Sequence, residues 1–396
     1  MRRRGSSERL ECLDALRGLV MVLMALDHSR DFFHFRSIRH LSSMDLATTT
    51  APIFLTRWVT HFCAPVFFFL AGSGAFLSEA GGKSKRDLSI FLVTRGLWLV
   101  FLELTFVNWV GWNFGVDLHM NQAYVLWAIG WCMVALAGLI HLPIEGVAAV
   151  GVGMIVVHDA FDGVGPEAWG AAGGLWKVLH AGGKAEFAPG YFLDAGYPLI
   201  PWIGVMAAGY AFGPVLRLDP AARQKAALRL GGALILGFAL LRLSNLYGDP
   251  VPWSVQSRPG MTALSVLKCM KYPPSLSYLL MTLGPALCLL AWLDRGVPPW
   301  LRFARTFGRV PMFFYLIHIP LLHAMAVVEE TLRVGRADWL IGDQWNAGPI
   351  PLPAGAGVGL LGVYGAWAAA VLALYPVCAW FAELKRRRRD WWLGYF

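Results

Sequence analysis

The sequence predicts an all-α, polytopic membrane protein of about ten transmembrane helices, with both termini cytoplasmic. Composition is the first reason: of 396 residues, 57% are hydrophobic and only 15% charged, against about 25% charged in an ordinary soluble domain. Mean hydropathy is +0.53. A water-soluble fold of this size could not hide that much apolar surface, and the same figures exclude disorder. The 18 Trp and 43 Gly are the second reason, since Trp gathers at membrane interfaces and Gly is tolerated inside membrane helices. The third is the placement of charge. Behind the net charge of +9, the basic residues sit in short runs between apolar stretches. That pattern encodes membrane orientation and argues against nucleic acid as a partner.

Apolar runs of about 20 residues, enough to cross some 30 Å of hydrocarbon, occur ten times. They are 13–33, 53–78, 88–112, 122–141, 143–160, 196–216, 227–247, 275–294, 310–330 and 357–381. The fifth is the weakest, being Gly-rich and following Pro143 after a very short turn. The first carries Asp14 and Arg17, and no small-residue cleavage site follows it, so it stays as a helix. The two termini and the loops at 79–87, 217–229 and 295–309 hold about twice as many Lys and Arg as the opposite loops, which puts them in the cytoplasm. Residues 1–12 therefore read as a basic cytoplasmic N-terminus, 13–381 as one membrane domain, and 382–396 as a basic, aromatic cytoplasmic tail. The outward loops, about 34–52, 161–195, 248–274 and 331–356, are long and read as ordered lids. The six Cys form no CxxC, and no His pair has metal-ligand spacing, so no metal is expected.

Ionisable residues inside a membrane segment are costly and mark function. Asp14 and Arg17 share a face near the cytoplasmic end of the first helix and read as an interfacial ion pair. His28 lies about 22 Å further along that helix, flanked by Asp27, Arg30 and Asp31. A His beside a carboxylate is a natural general base, because the carboxylate fixes the tautomer and stabilises the imidazolium. The second helix carries Arg57 and His61 at a similar depth, and Pro65 kinks it there. His28, Asp31, Asp27 and His61 are the expected catalytic groups, with Arg30 and Arg57 on the substrate side. Arg95 and Glu103 lie on the third helix and His318 in the ninth. Gly18, Gly72, Gly74, Gly96 and Gly308 are expected to allow close helix packing. His141 and His158 read as interfacial, and Glu329 with Glu330 as a solvated face.

Several segments together resemble a known family. They are Leu13-Asp14-Ala15-Leu16-Arg17-Gly18 with Asp27-His28-Ser29-Arg30-Asp31-Phe32-Phe33, the stretch from Thr56 to Pro65, Thr94 to Trp98, Tyr197 to Trp202 and Lys271 to Ser275. The chain resembles the transmembrane acyltransferases typified by lysosomal heparan-α-glucosaminide N-acetyltransferase, over about residues 9 to 385. The resemblance implies transfer of an acyl group, typically from cytosolic acetyl-CoA, to an amine or hydroxyl of a sugar or glycan on the far side of the membrane. It also implies an essential His. That residue corresponds to His28, or to His34 or His40 a little further on. Arg17, Arg95, Arg309 and His318 are the expected acyl-CoA contacts. Setting is expected in the bacterial inner membrane, with the bilayer and a second copy of the chain as partners. A secondary transporter would place similar polar residues in mid-membrane, but it predicts charge matched between halves, whereas charge here clusters in the first three helices. A non-catalytic membrane sensor is the other alternative.

Overall fold

The computed structural model describes residues 10–342, 352–388 and 390–396. The basic residues Arg2, Arg3, Arg4, Arg9 and Arg389, and part of the predicted 331–356 loop, lie outside the described residues. Helices dominate: α1 (Glu11–Phe33), α2 (Ala51–Ala80), α3 (Lys85–Trp112), α4 (Val125–Leu139) and α5 (Ile144–Phe161) form the first half. The second half holds α6 (Leu199–Leu216), α7 (Pro220–Ser244), α8 (Leu276–Leu293), α9 (Pro311–Val334) and α10 (Leu360–Arg387). Eight of these are long and apolar enough to cross a membrane. The other two are α1, which carries several charges, and α4, which is apolar but only 15 residues long. Each predicted run therefore corresponds to a helix.

The bundle is built around α1, most of whose residues are buried. It packs against α2, α8, α9, α10 and the short helix Arg302–Arg309. Helices α5 and α7 bury little of themselves and lie at the periphery. The all-α fold also carries one small sheet in its loops. A small three-stranded sheet joins β1 (Met120–Gln122), β2 (Gly183–Ala188) and β3 (Tyr191–Ala195), in the order β1-β3-β2. Strand β3 pairs parallel with β1 and antiparallel with β2, so the 161–195 loop is tied by backbone hydrogen bonds to the end of α3.

Glycine decides how closely α1 can be approached. A Cβ on Gly18 would lie 1.7 Å from the Ala304 carbonyl oxygen, and one on Gly308 would lie 1.8 Å from that of Asp14. Backbone meets backbone here, which holds the N-terminal half of α1 against Arg302–Arg309. Gly72 is about as tight against Met206 of α6, at 1.9 Å, and a Cβ on Gly96 would meet the Gly130 carbonyl of α4 at 2.5 Å. Gly74 departs from the expectation: nothing lies within 4 Å of its would-be Cβ, and it faces a cavity instead.

Other outcomes differ from the sequence reading for local reasons. Glu330 is 1% exposed and accepts from the Gly357 amide at 2.9 Å, so it ties down the segment before α10 rather than facing solvent. His158 is buried, because the 162–182 segment folds over the end of α5. His141 stays at the rim of the bundle, 2.9 Å from Ser89 Oγ.

Candidate active site

Three cavities run in series through the middle of the bundle. The first, about 350 Å³, is lined mainly by apolar side chains of α2, α3, α4 and α9, with Arg17, Arg95, Arg309 and Lys385 on its wall. The second, about 130 Å³, holds Asp27, His28, Asp31, Arg57, Lys271 and Tyr272. The third, about 460 Å³, is lined by Arg30, His40, Arg57 and His61 together with the loops around residues 40 and 270. Phe67, Val125 and Tyr315 wall both the first and the second cavities. Asp31, Arg57, Lys271 and Tyr272 wall both the second and the third.

The middle cavity is organised by one ion-pair network. Arg57 of α2 grips both carboxylate oxygens of Asp27. Arg30, one turn along α1, donates to Asp27 at 3.0 Å and also binds Asp31. Its other nitrogen reaches Ser37 at 3.1 Å and Ser43 at 3.3 Å, so the loop after α1 is tied to the same network. Breaking a buried pair leaves an uncompensated charge, which is costly, and here Asp27 is held by both Arg30 and Arg57. His28 stands beside this network with Nδ1 3.7 Å from Asp31 Oδ2, and Nδ1 itself makes no hydrogen bond.

Local chain chemistry sets the surroundings of His28. Pro65 has no N–H, so the carbonyl of His61, four residues earlier, loses its helical donor. The backbone tightens to a 3-10 turn at Thr60–Phe62, and the Tyr278 hydroxyl of α8 donates to the His61 carbonyl at 2.7 Å. His61 is buried with its ring against Tyr278, its Nδ1 without a hydrogen-bond partner. The last ten residues of α3, Glu103–Trp112, are π-helical. Asn108 donates to the Glu103 carbonyl at 2.7 Å, five residues back, and to Gln122 at 3.0 Å. Wide turns of this kind are frequent at functional sites. This one presents the Trp112 indole edge-on to His28, ring centres 5.1 Å apart. The Glu103 carboxylate accepts from Leu126 N at 3.1 Å, capping α4 where the helix dipole favours negative charge.

The expected residues thus divide by place. Asp27, His28, Asp31 and Arg57 meet in the middle cavity, and Arg30, Arg57 and His61 line the outer one. Arg17, Arg95 and Arg309 line the first cavity. Arg17 lies 3.5 Å from Asp14 and donates to the Gly308 carbonyl at 3.1 Å, while Arg95 donates to Gly394. His318 lines none of the three. It is fully buried behind His28, ring centres 5.2 Å apart. Its Nδ1 lies 3.0 Å from the Phe314 carbonyl and 2.7 Å from that of Tyr315; carbonyls only accept, so the proton sits on Nδ1. Of the alternative histidines, His40 reaches the outer cavity. His34 lies outside all three, and burial together with Arg30 and Arg36 lowers its pKa to about 4.

Sequence reasoning gave no role to Lys271, Tyr272, Tyr124 and Tyr197, which complete the middle cavity. The Lys271-Tyr272-Pro273-Pro274 run was visible but lies in a loop, where no helical spacing points inward. Desolvation alone would raise the Tyr272 phenol. Lys271, Arg57 and hydrogen bonds from Tyr197 and Lys271 outweigh it and hold the phenol below its ordinary value. In the first cavity, Lys385 and Phe396 were not expected, and the Lys385 ammonium donates to the Phe396 carbonyl at 2.8 Å.

The family model for heparan-alpha-glucosaminide N-acetyltransferase, catalytic, matches residues 9–241. No curated protein matches the chain. The matched range contains α1 to α3, and with them every charged group of the Asp27 network.

Proposed function

The chain belongs to the heparan-α-glucosaminide N-acetyltransferase catalytic family, and on that premise we propose that it moves an acetyl group from cytosolic acetyl-CoA to an extracytoplasmic sugar amine or hydroxyl. The observation that carries this reading is the series of three cavities, from an Arg-rimmed apolar mouth to a polar chamber around His28. A donor with a phosphate-rich head and a long thin arm matches such a path. Arg17, Arg95 and Arg309 take the phosphates, and the pantetheine arm lies along the apolar wall. The acceptor enters through the outer cavity past Arg30, Arg57 and His61.

In the transfer step the acceptor nitrogen or oxygen attacks the thioester carbon, and His28 takes its proton. The carbonyl oxygen becomes negative, and Lys271 and Tyr272 supply donors for it. The carbon–sulfur bond then breaks, and His28 returns the proton to the departing sulfur, so CoA leaves as the thiol. Asp31 steadies the imidazolium at 3.7 Å. The ten helices cross the membrane with both termini inside, so cavity one opens to the cytoplasm.

The deciding experiment gives purified protein radiolabelled acetyl-CoA and envelope glycan fractions. Label should move to glycan with wild type and not with His28→Ala. A transporter or sensor would move no label and show no thermal stabilisation by acetyl-CoA. Sidedness is tested with single Cys labels in spheroplasts. Positions in 34–52 and 161–195 should react with an impermeant reagent from outside, and positions in 83–86 only after permeabilisation. The reverse pattern would overturn the transmembrane path.

A further inference from the structure

We propose that His158, Asp162 and His180 bind a divalent transition-metal cation, zinc by preference, that clips the outer loop onto the end of α5. The three side chains come together although His180 is 22 residues beyond His158. His158 sits in the 3-10 turn that ends α5, Asp162 follows that turn, and His180 lies in the π turn Lys177–Ala181. One ligand atom from each lies within 4.8 Å of the other two. Tetrahedral ligands about 2.0–2.1 Å from zinc stand roughly 3.4 Å apart, so side-chain rotations of about an ångström close the set. Asp162, with 18% of its side chain exposed, has room to make that movement.

A second, independent observation points to a ligand. The His158 side chain is fully buried and its Nε2 faces Asp159, yet its Nδ1 makes no hydrogen bond. Burying a polar ring without compensation is unfavourable, and a cation bound at one nitrogen removes that cost. Acceptors of the kind that orient metal-bound imidazoles already flank both rings. Asp159 Oδ1 lies 3.1 Å from His158 Nε2, and the His158 carbonyl accepts from His180 Nε2 at 2.8 Å. The His180 ring is stacked on Trp176, ring centres 4.8 Å apart, which keeps the site dry.

Two imidazoles and one carboxylate suit zinc and its neighbours better than calcium or magnesium, which prefer all-oxygen sets. The place suggests structural work. The other oxygen of Asp159 accepts from Leu276 N at 2.9 Å, at the start of α8 and a few residues after Lys271 and Tyr272. A cation here would tie the 162–182 loop to the segment that walls the His28 cavity. The sequence hides the site, since only His158 and Asp162 are a helical turn apart and His180 lies 22 residues beyond His158.

The test strips the detergent-purified full chain with a chelator, reloads it with zinc chloride, removes free metal and measures zinc by mass spectrometry. About one zinc per chain is expected in wild type. His180→Gln should lose it, and Asp162→Asn should bind at least about tenfold more weakly. His141→Gln, at another helix end, should keep the full complement. Wild type that retains no zinc, or His180→Gln that retains it all, overturns the proposal. Should the variants fail to fold, cobalt substitution of wild type decides. Intense visible ligand-field bands support a nitrogen-containing tetrahedral site, and their absence overturns it. Zinc should also slow tryptic cleavage at Lys177 and Lys184, and an unchanged rate would refute the clip.

Discussion

The first and middle cavities share three wall residues but differ in chemistry. The first is an apolar tube with cations on its wall, among them Arg17 beside Asp14 and Gly308, and Arg95 beside Gly394. The middle chamber is a closed charge network in which Asp27, Arg30, Asp31 and Arg57 satisfy one another and hold a His without locking it. Cations spaced along an apolar wall suit a ligand's phosphates. Charges paired with one another in a buried network are costly to separate and serve better to fix geometry. On the proposed function, binding falls to one cavity and chemistry to the other, and variants in each should fail in different ways.

The largest effect is expected at His28. Positioned acid–base groups contribute about 10²–10⁴-fold, so His28→Ala should lower kcat by that much while acetyl-CoA still stabilises the protein against heat. If His28→Ala keeps near-normal turnover, the base is elsewhere, and His61 and His40 in the outer cavity are next in line.

Removing one member of the charge network tests whether it is saturated. Arg57→Met leaves Asp27 with Arg30 as its remaining ion-pair partner and should cost about 3–5 kcal/mol of stability, the usual penalty for halving a buried pair. The double change Asp27→Asn with Arg57→Met should recover much of that melting temperature without recovering activity. Equal melting temperatures for the single and double variants would show that the pair does not hold the chamber together.

That network was partly legible in the sequence. Asp27, Arg30 and Asp31 lie within five residues of one apolar helix, and the cost of charge in a membrane makes such a cluster conspicuous. The helices were legible for the same reason, since length and hydropathy alone mark α2 to α10, apart from the short α4. The position of Lys271 and Tyr272 was not, because a loop has no periodicity to say which way it folds. The rotation of His318 was not legible either, because depth along a helix does not give it. His318 packs against His28 and does not line the first cavity. The small sheet escaped notice because its strands are three to six residues long and β1 pairs with a strand far along the chain.

In the first cavity the expected failure is one of affinity. Arg95→Ala and Arg309→Ala each remove a charge-assisted contact worth about 1.5–3 kcal/mol, so acetyl-CoA should bind roughly 10–150-fold more weakly, with kcat little changed at saturation. Isothermal titration separates the two quantities. Unchanged affinity in both variants would remove the phosphate site from this cavity and dissolve the division of labour.

The smallest effect sharpens the comparison most, because it uses two glycines two residues apart. A Cβ on Gly72 would lie 1.9 Å from the Met206 carbonyl oxygen, so Gly72→Ala must push α2 away from α6 and should lower the melting temperature. A Cβ on Gly74 meets nothing within 4 Å and projects where the first cavity is lined. Gly74→Ala should therefore leave the melting temperature at or slightly above wild type, since alanine stabilises a helix interior by about 0.5–1 kcal/mol relative to glycine. Its cost should appear only in the Michaelis constant for acetyl-CoA, as a modest rise from a narrowed tube. A larger side chain, Gly74→Leu, should enlarge that rise while the protein stays folded. If Gly74→Leu binds acetyl-CoA as wild type does, the donor does not run along this wall, and the first cavity is packing space rather than a binding path.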